Sequence, residues 1–274
     1  MPEMLFSFLF SRPFAFLWNI ERKKFSTLSV YYSKLSLVPF DGSDQPSWLA
    51  NPSGFLSCNE QKDLELRSRP SAISEFVATR WIAKNLAHRI LPAYHWSDWE
   101  ISKEPNGKPI LRLHSDQSME LSLSHKYPWI AVAISLDQRV GIDIERTPDF
   151  KNEDKKRSWM NSILSLGFTD EEKATISNLD VDELLLRWTM KEAIAKATGH
   201  VGLSGMRQVN TSRIETDDVQ GIHRKLEHLG TQFAIDTIHI DSDSVLTIAS
   251  EIETVASRGF TGPTECDPSK FKST

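Results

Sequence analysis

The stretch VGIDIER, residues 140–146, decides how this chain is read. Val140, Ile142 and Ile144 alternate with Gly141, Asp143 and Glu145. A period of two is the mark of a strand with one face on a core. Two carboxylates then share the opposite face. Like charges so placed repel, so either water screens them on a wet strand face or a cation lies between them. Two carboxylates without soft ligands suit a hard ion with oxygen ligands, such as Mg²⁺.

Upstream of this strand, MELSLSH (119–125) and WIAVAISL (129–136) alternate or run apolar and are expected as strands. With RVGIDIE (139–145) they suggest an antiparallel meander. NGKP (106–109) is a turn, because Asn-Gly favours positive φ. Further back, LSVYYSKLSLVP (28–39) reads as a strand, followed by a Gly/Pro/Ser-rich loop around 41–54 and charges at helical spacing over 59–66. SAISEFVATRWIAKNLAHRIL (71–91) is an amphipathic helix, with Phe76, Val77, Trp81, Ile82, Leu86 and Ile90 at helical intervals. Pro92 ends it.

Downstream, Thr169 and Glu172 form a capping box. DELLLRWTMKEAIAKATG (182–199) is a long helix closed by Gly199, a good left-handed cap. QFAIDTIHI (232–240) and VLTIASEI (245–252) are strands. The class is α+β. The halves look alike in element order without a clear sequence repeat. The expected organisation is an N-terminal extension of unknown role (1–27), an N-terminal half (28–136), a C-terminal half (137–257) and a flexible tail (258–274).

The chain has 274 residues, 39% hydrophobic and 25% charged, with a formal net charge of −5. That is ordinary for a globular protein, and a mildly acidic chain without a long basic run argues against general nucleic-acid binding. Cys58 and Cys266 are far apart and outside any CxxC, so no disulfide framework or zinc spacing arises; a reducing, cytoplasmic setting fits. The apolar N-terminus lacks a basic n-region, and Arg12-Pro13 interrupts it early, so a membrane anchor is not expected.

Trp188, Glu192 and Lys196 fall at i, i+4 and i+8 on one helical stripe. Alone, Glu192 and Lys196 are as well explained by a surface ion pair. His125, at the end of an apolar alternation, is by itself an ordinary strand-end residue.

Taken in order, Gly107-Lys108-Pro109, Ser124-His125, Gly141-Ile142-Asp143-Ile144-Glu145 and Trp188-Thr189-Met190-Lys191-Glu192 through Lys196 and Gly199 resemble the 4′-phosphopantetheinyl transferases. The likeness is to the surfactin-synthetase-activating type, which is two-halved and monomeric, and it covers roughly residues 55–210. Ser122 stands where that family often has Asn, and Lys126 follows the histidine.

The resemblance implies two similar α/β halves related by pseudo-twofold symmetry, with the active site between them. It implies transfer of 4′-phosphopantetheine from coenzyme A to a serine of an apo acyl or peptidyl carrier protein. Adenosine 3′,5′-bisphosphate is the by-product. By the same carry-over, Asp143, Glu145 and Glu192 hold Mg²⁺, and Glu192 is also the general base. Lys196 acts on the leaving phosphate, His125 contacts the pyrophosphate, Ser124 lies near the nucleotide, and Lys108 with Pro109 lies near the adenine or a phosphate. Lys62, Arg69 and Arg80 are the candidates for the 3′-phosphate, where arginine's fork suits the ligand. Lys155 to Arg157 is a candidate patch for an acidic carrier protein. Two other readings use the same residues: another metal-dependent phosphotransferase or nucleotide hydrolase, and a non-catalytic carrier-binding module.

Overall fold

The computed structural model describes residues 18–21, 27–34, 52–113, 117–176, 180–216 and 223–252. The tail beginning at 258 and most of the stretch 1–27 lie outside the described residues.

The first sheet is antiparallel, in the order β1 (Trp18–Glu21), β2 (Thr27–Lys34), β6 (Trp129–Ser135), β5 (Ser118–Lys126), β4 (Pro109–Leu113), β3 (Trp99–Lys103). Strand β1, inside the stretch 1–27, pairs with β2, Trp18 opposite Val30. Helices α1 (Cys58–Glu65) and α2 (Pro70–Ile90) precede β3. The second sheet runs β7 (Val140–Arg146), β11 (Ser244–Glu251), β10 (Thr231–His239), β9 (His223–His228), β8 (Glu215–Thr216). Between β7 and β8 come α3 (Glu153–Gly167), α4 (Asp170–Thr175), α5 (Val181–Thr198) and α6 (Leu203–Gln208).

The meander expected through VGIDIER therefore stops one strand short. Strands β3 to β6 form it, but β7 leaves to pair with β11, Asp143 opposite Thr247. The reason lies in what covers each strand. Strand β6 is buried at every position, which requires cover on both faces. On one face Ile130, Val132 and Ile134 pack with Ala83, Leu86 and Ala87 of α2. On the other, Trp129, Ala131 and Ala133 meet Val140, Ile142 and Ile144 of β7 and Leu246 and Ile248 of β11. The opposite side of the second sheet carries α5 through Ala193, Ile194, Phe233, Ile235 and Ala249. The order of layers is helix, sheet, sheet, helix. Burying each large aliphatic in the central layer contributes about 1.5–3 kcal/mol.

A repeat missing from the element-level reading of the sequence emerges in the long helices. Helix α2 carries Arg80-Trp81-x-x-Lys84, and α5 carries Arg187-Trp188-x-x-Lys191. Both lysines are fully buried. Lys84 Nζ lies 2.6 Å from Glu60 Oε2 and donates to Phe55 O at 2.6 Å. Lys191 Nζ lies 2.6 Å from Glu172 Oε1 and donates to Val209 O. Each glutamate is the N3 residue of a capping box, behind Ser57 and Thr169 respectively. Each also accepts a backbone N–H from a distant segment, Ile101 at 3.1 Å and Thr211 at 2.8 Å. Each long helix sets its tryptophan against the phenylalanine ahead of the box, Phe55 with Trp81 and Phe168 with Trp188.

Candidate functional site

Gly141 explains how α5 reaches β7. A Cβ there would fall inside the carbonyl oxygen of Ala193, so only glycine lets the helix lie directly on the strand. The face of β7 bearing Asp143 and Glu145 is therefore covered by α5, not by water, and Asp143 is buried. The wet-face reading of VGIDIER fails for that reason.

Three elements meet at Asp143. Its Oδ1 lies 2.6 Å from Lys196 Nζ of α5 and accepts the Ser124 hydroxyl of β5 at 2.9 Å. Lys196 Nζ also donates to Ser124 Oγ and to Ile142 O, each at 3.2 Å. Glu192, one turn before Lys196, is 3.7 Å from its ammonium. Glu145 is held by Lys126 of β5 at 2.6 Å. Two serine hydroxyls complete the joint: Ser122 accepts the Ile142 N–H at 2.9 Å, and Ser124 accepts that of Ile144 at 3.1 Å.

The electrostatics follow. Burial pushes the Glu192 carboxyl up, repulsion from Asp143 and Glu145 adds to it, and Lys196 opposes it; the result is about 7. Glu145 is raised by burial, with repulsion from Asp143 adding and Lys126 opposing. Burial alone would lower the Lys196 ammonium, but Asp143 and Glu192 raise it above its ordinary value. Glu192 thus feels both strand carboxylates.

Three carboxylates offer only hard oxygen donors, which suits a Mg²⁺-type ion. Asp143 Oδ2 is buried without a hydrogen-bond partner, an oxygen left for such an ion. Among the described residues no three acidic, His or Cys side chains already stand in ligating arrangement, since Lys196 and Lys126 each hold one carboxylate oxygen.

The other expected residues are spread more widely. His125 is exposed at the end of β5, its Nδ1 3.4 Å from Glu75 of α2. Lys108 is buried, paired with Glu120, and donates to Ala197 O at 2.9 Å, capping the last turn of α5. Its ammonium is occupied by a helix terminus whose carbonyls lack intrahelical partners. Pro109 begins β4 and is half-buried. Gly199 has φ 77°, as a left-handed cap requires.

Lys62 and Arg69 are exposed on and beside α1 and α2. Arg80 lies 3.3 Å over the Phe76 ring and 3.9 Å from Glu60 Oε1. Burial lowers its guanidinium to about 10, Glu60 opposing and Arg67 adding. Arg67 stacks over the same ring at 3.9 Å, a second cation that residue spacing did not single out. Lys126 and Ser122 were likewise unassigned. Their signal was alternation along β5, which puts Ser122, Ser124 and Lys126 in one i, i+2 row.

Beside Glu145 opens a cleft of about 1090 Å³. Lys126, Phe150, Lys156, Trp159 and Trp188 contribute to its lining. Lys155 and Arg157 are exposed on α3.

Residues 139–249 match the family model described as the 4′-phosphopantetheinyl transferase superfamily. The chain is also 28% identical over 89 residues to a holo-[acyl-carrier-protein] synthase of Halalkalibacterium halodurans, covering 31% of this chain and 74% of that protein. The matched segment includes β7, with Asp143 and Glu145, and α5, with Glu192 and Lys196.

Proposed function

We propose that the chain is a Mg²⁺-dependent 4′-phosphopantetheinyl transferase of the two-halved, monomeric and cytoplasmic type. It moves 4′-phosphopantetheine from coenzyme A to a serine hydroxyl of an apo carrier protein and releases adenosine 3′,5′-bisphosphate. The observation that carries this reading is the meeting of Asp143, Glu192 and Lys196 on the segment that matches the superfamily. The two-halved part is supported by the second helix-and-sheet unit upstream of the match, with its own buried lysine and capping-box glutamate.

Asp143, Glu145 and Glu192 are the residues that would hold the metal, starting from the free Asp143 Oδ2. When bound, Mg²⁺ supplies neutralisation of the pyrophosphate charge. Phosphoryl-type transfer asks the protein mainly for positioning and charge. Glu192, with a carboxyl near 7, is matched to accept the carrier serine proton at neutral pH. Lys196, kept charged by Asp143, is the cation assigned to the departing phosphate oxygen, for which it would exchange one of its present acceptors, Asp143, Ser124 or Ile142 O. His125 and Lys126 face the pyrophosphate from the end of β5. Arg80, with Arg67 over the same Phe76 ring, takes the 3′-phosphate, and Lys62 and Arg69 are the further candidates for it. Lys108 serves by capping α5, beside Ser124, which steadies Asp143 and Lys196. The carrier's serine-bearing helix enters over the cleft beside Glu145, where Phe150, Trp159 and Trp188 give apolar surface and Lys126 and Lys156 stand among acidic residues such as Asp149 and Glu153.

The test is mass spectrometry of several apo carrier proteins incubated with the purified protein, coenzyme A and Mg²⁺. The expected result is a gain of one phosphopantetheine on at least one carrier, abolished by a chelator. No gain on any carrier of the panel overturns the proposal.

A further inference from the structure

We infer that the buried pair Lys191–Glu172 is a clamp that positions Glu192 and Lys196, and that its copy Lys84–Glu60 positions Arg80. The inference rests on the proposed transferase reading for what those three residues do. On that reading, one device repeated in each half holds the two ends of a single coenzyme substrate.

The first argument is geometric. Lys191 and Glu192 are neighbours on α5 and point about 100° apart around it. Lys191 is sealed from water, between Glu172 and the carbonyl of Val209. Glu192 instead faces the strand carboxylates and is 27% exposed. Rotating α5 enough to withdraw Glu192 from Asp143 would drag the Lys191 ammonium out of that pocket. Glu172 is itself fixed from three sides, by Lys191, by the Thr169 N–H at 2.9 Å, and by the Thr211 N–H and hydroxyl at 2.8 and 2.7 Å. The clamp therefore ties the register of α5 to α4 and to the segment after α6.

A second argument comes from the copy. Glu60 lies 2.6 Å from Lys84 and 3.9 Å from the Nε of Arg80, one helical turn earlier. Arg80 Nε is buried without a hydrogen-bond partner, and the guanidinium is placed by Glu60, by the Phe76 ring beneath it and by Nη1 donating to the Phe76 carbonyl at 3.3 Å. In α5 the equivalent arginine, Arg187, pairs with Glu183 and Thr175 instead. The residue after the buried lysine has also diverged, Asn85 in α2 against Glu192 in α5. Each half keeps the clamp and places beside it the charged group that half supplies.

The chemistry of buried ion pairs separates positioning from bulk stability. Apolar or neutral replacement of both partners often leaves folding intact, whereas removing one partner strands a charge. What the neutral pair loses is the directional bonding that sets one register.

The experiment compares two double variants, Glu172→Gln/Lys191→Met and Glu60→Gln/Lys84→Met, for thermal midpoint, kcat and KM for coenzyme A. Both are expected to fold. In the first, kcat falls on the order of a hundredfold with KM unchanged, as for a small misplacement of reacting groups. In the second, KM rises about tenfold with kcat retained, as for loss of uniform binding. Wild-type kcat in the folded first variant overturns the inference. So do losses in both variants that follow the thermal midpoint without the kcat-against-KM split.

Glu172→Asp keeps the charge and shortens the reach. It is expected to fold and lose kcat, and wild-type turnover in it also overturns the clamp should the double variant not fold. If the wild-type protein modifies no carrier, the transferase reading fails separately. A crystal structure of the Glu172→Gln/Lys191→Met variant then decides the clamp, and an unchanged Lys196–Asp143 contact overturns it.

Discussion

Asp143 and Glu192 are held by opposite means. Asp143 is anchored by a lysine and a serine, with one buried oxygen left over. Glu192 is half-exposed and is pushed toward neutrality by burial and by its acidic neighbours. Asp143→Ala should remove the anchor of Lys196 and one metal oxygen, at a stability cost of about 1.5–3 kcal/mol for the lost charged hydrogen bonds. Turnover in Glu192→Gln should fall about 10²–10⁴-fold, the range of a lost general base. Steady-state transfer rates with circular dichroism check both, and wild-type rates in either folded variant refute the assigned role. Periodicity put Asp143 with Glu145 on one strand face and Glu192 with Lys196 on one helical stripe, but only the resemblance of the ordered motifs singled these four out as a site. The sequence hid Lys126 and Ser122, since a serine or lysine on an alternating strand is equally a surface residue; only the approach of β7 to β5 turns these two into partners of the site.

Helix α5 touches β7 so closely that a single methyl group tests their spacing. Gly141→Ala should drive the helix off the strand and destabilise by about 1–3 kcal/mol or more, the usual cost of overpacking. Because Glu192 and Lys196 ride on that helix, activity should fall further than stability; chemical denaturation beside the transfer assay measures both. The elements themselves were largely legible. The amphipathic run 71–91 became α2 (Pro70–Ile90), and the capping box at Thr169 and the cap at Gly199 were found as read. Strands such as β9, HRKLEH, were not legible, because their polar residues show neither a period nor a continuous apolar run. The matching RWxxK stretches escaped notice because the surrounding residues differ. Only the burial of Lys84 and Lys191 shows that the two share a role.

For the whole molecule, ligand and pH should both move stability. Mg²⁺ with coenzyme A should raise the melting temperature, since ligand at a hundred times its Kd adds about 2.7 kcal/mol to the folded state. Absence of any shift in differential scanning would count against the site. His228 gives the pH dependence. It is buried, and burial first, then Coulombic interaction with His200 and Lys191, lowers its pKa below the ordinary 6.5. The unfolded chain therefore takes up a proton near pH 6.5 that the native protein refuses, and stability is lost as pH falls below that value. Melting temperatures measured from neutral to mildly acidic pH should show this decline, and His228→Gln should flatten it.

The serines of β5 carry a further consequence. Among the described residues, strand β7 lies at the margin of its sheet, where unpaired N–H groups would invite a strand from another molecule. The hydroxyls of Ser122 and Ser124 take the N–H groups of Ile142 and Ile144, so this margin offers no template for strand addition. Parting the two sheets would uncover both these donors and the apolar row of Val140, Ile142 and Ile144 at once. The small hydroxyls that steady the site thus also cover the strand edge at which self-association through β7 would begin.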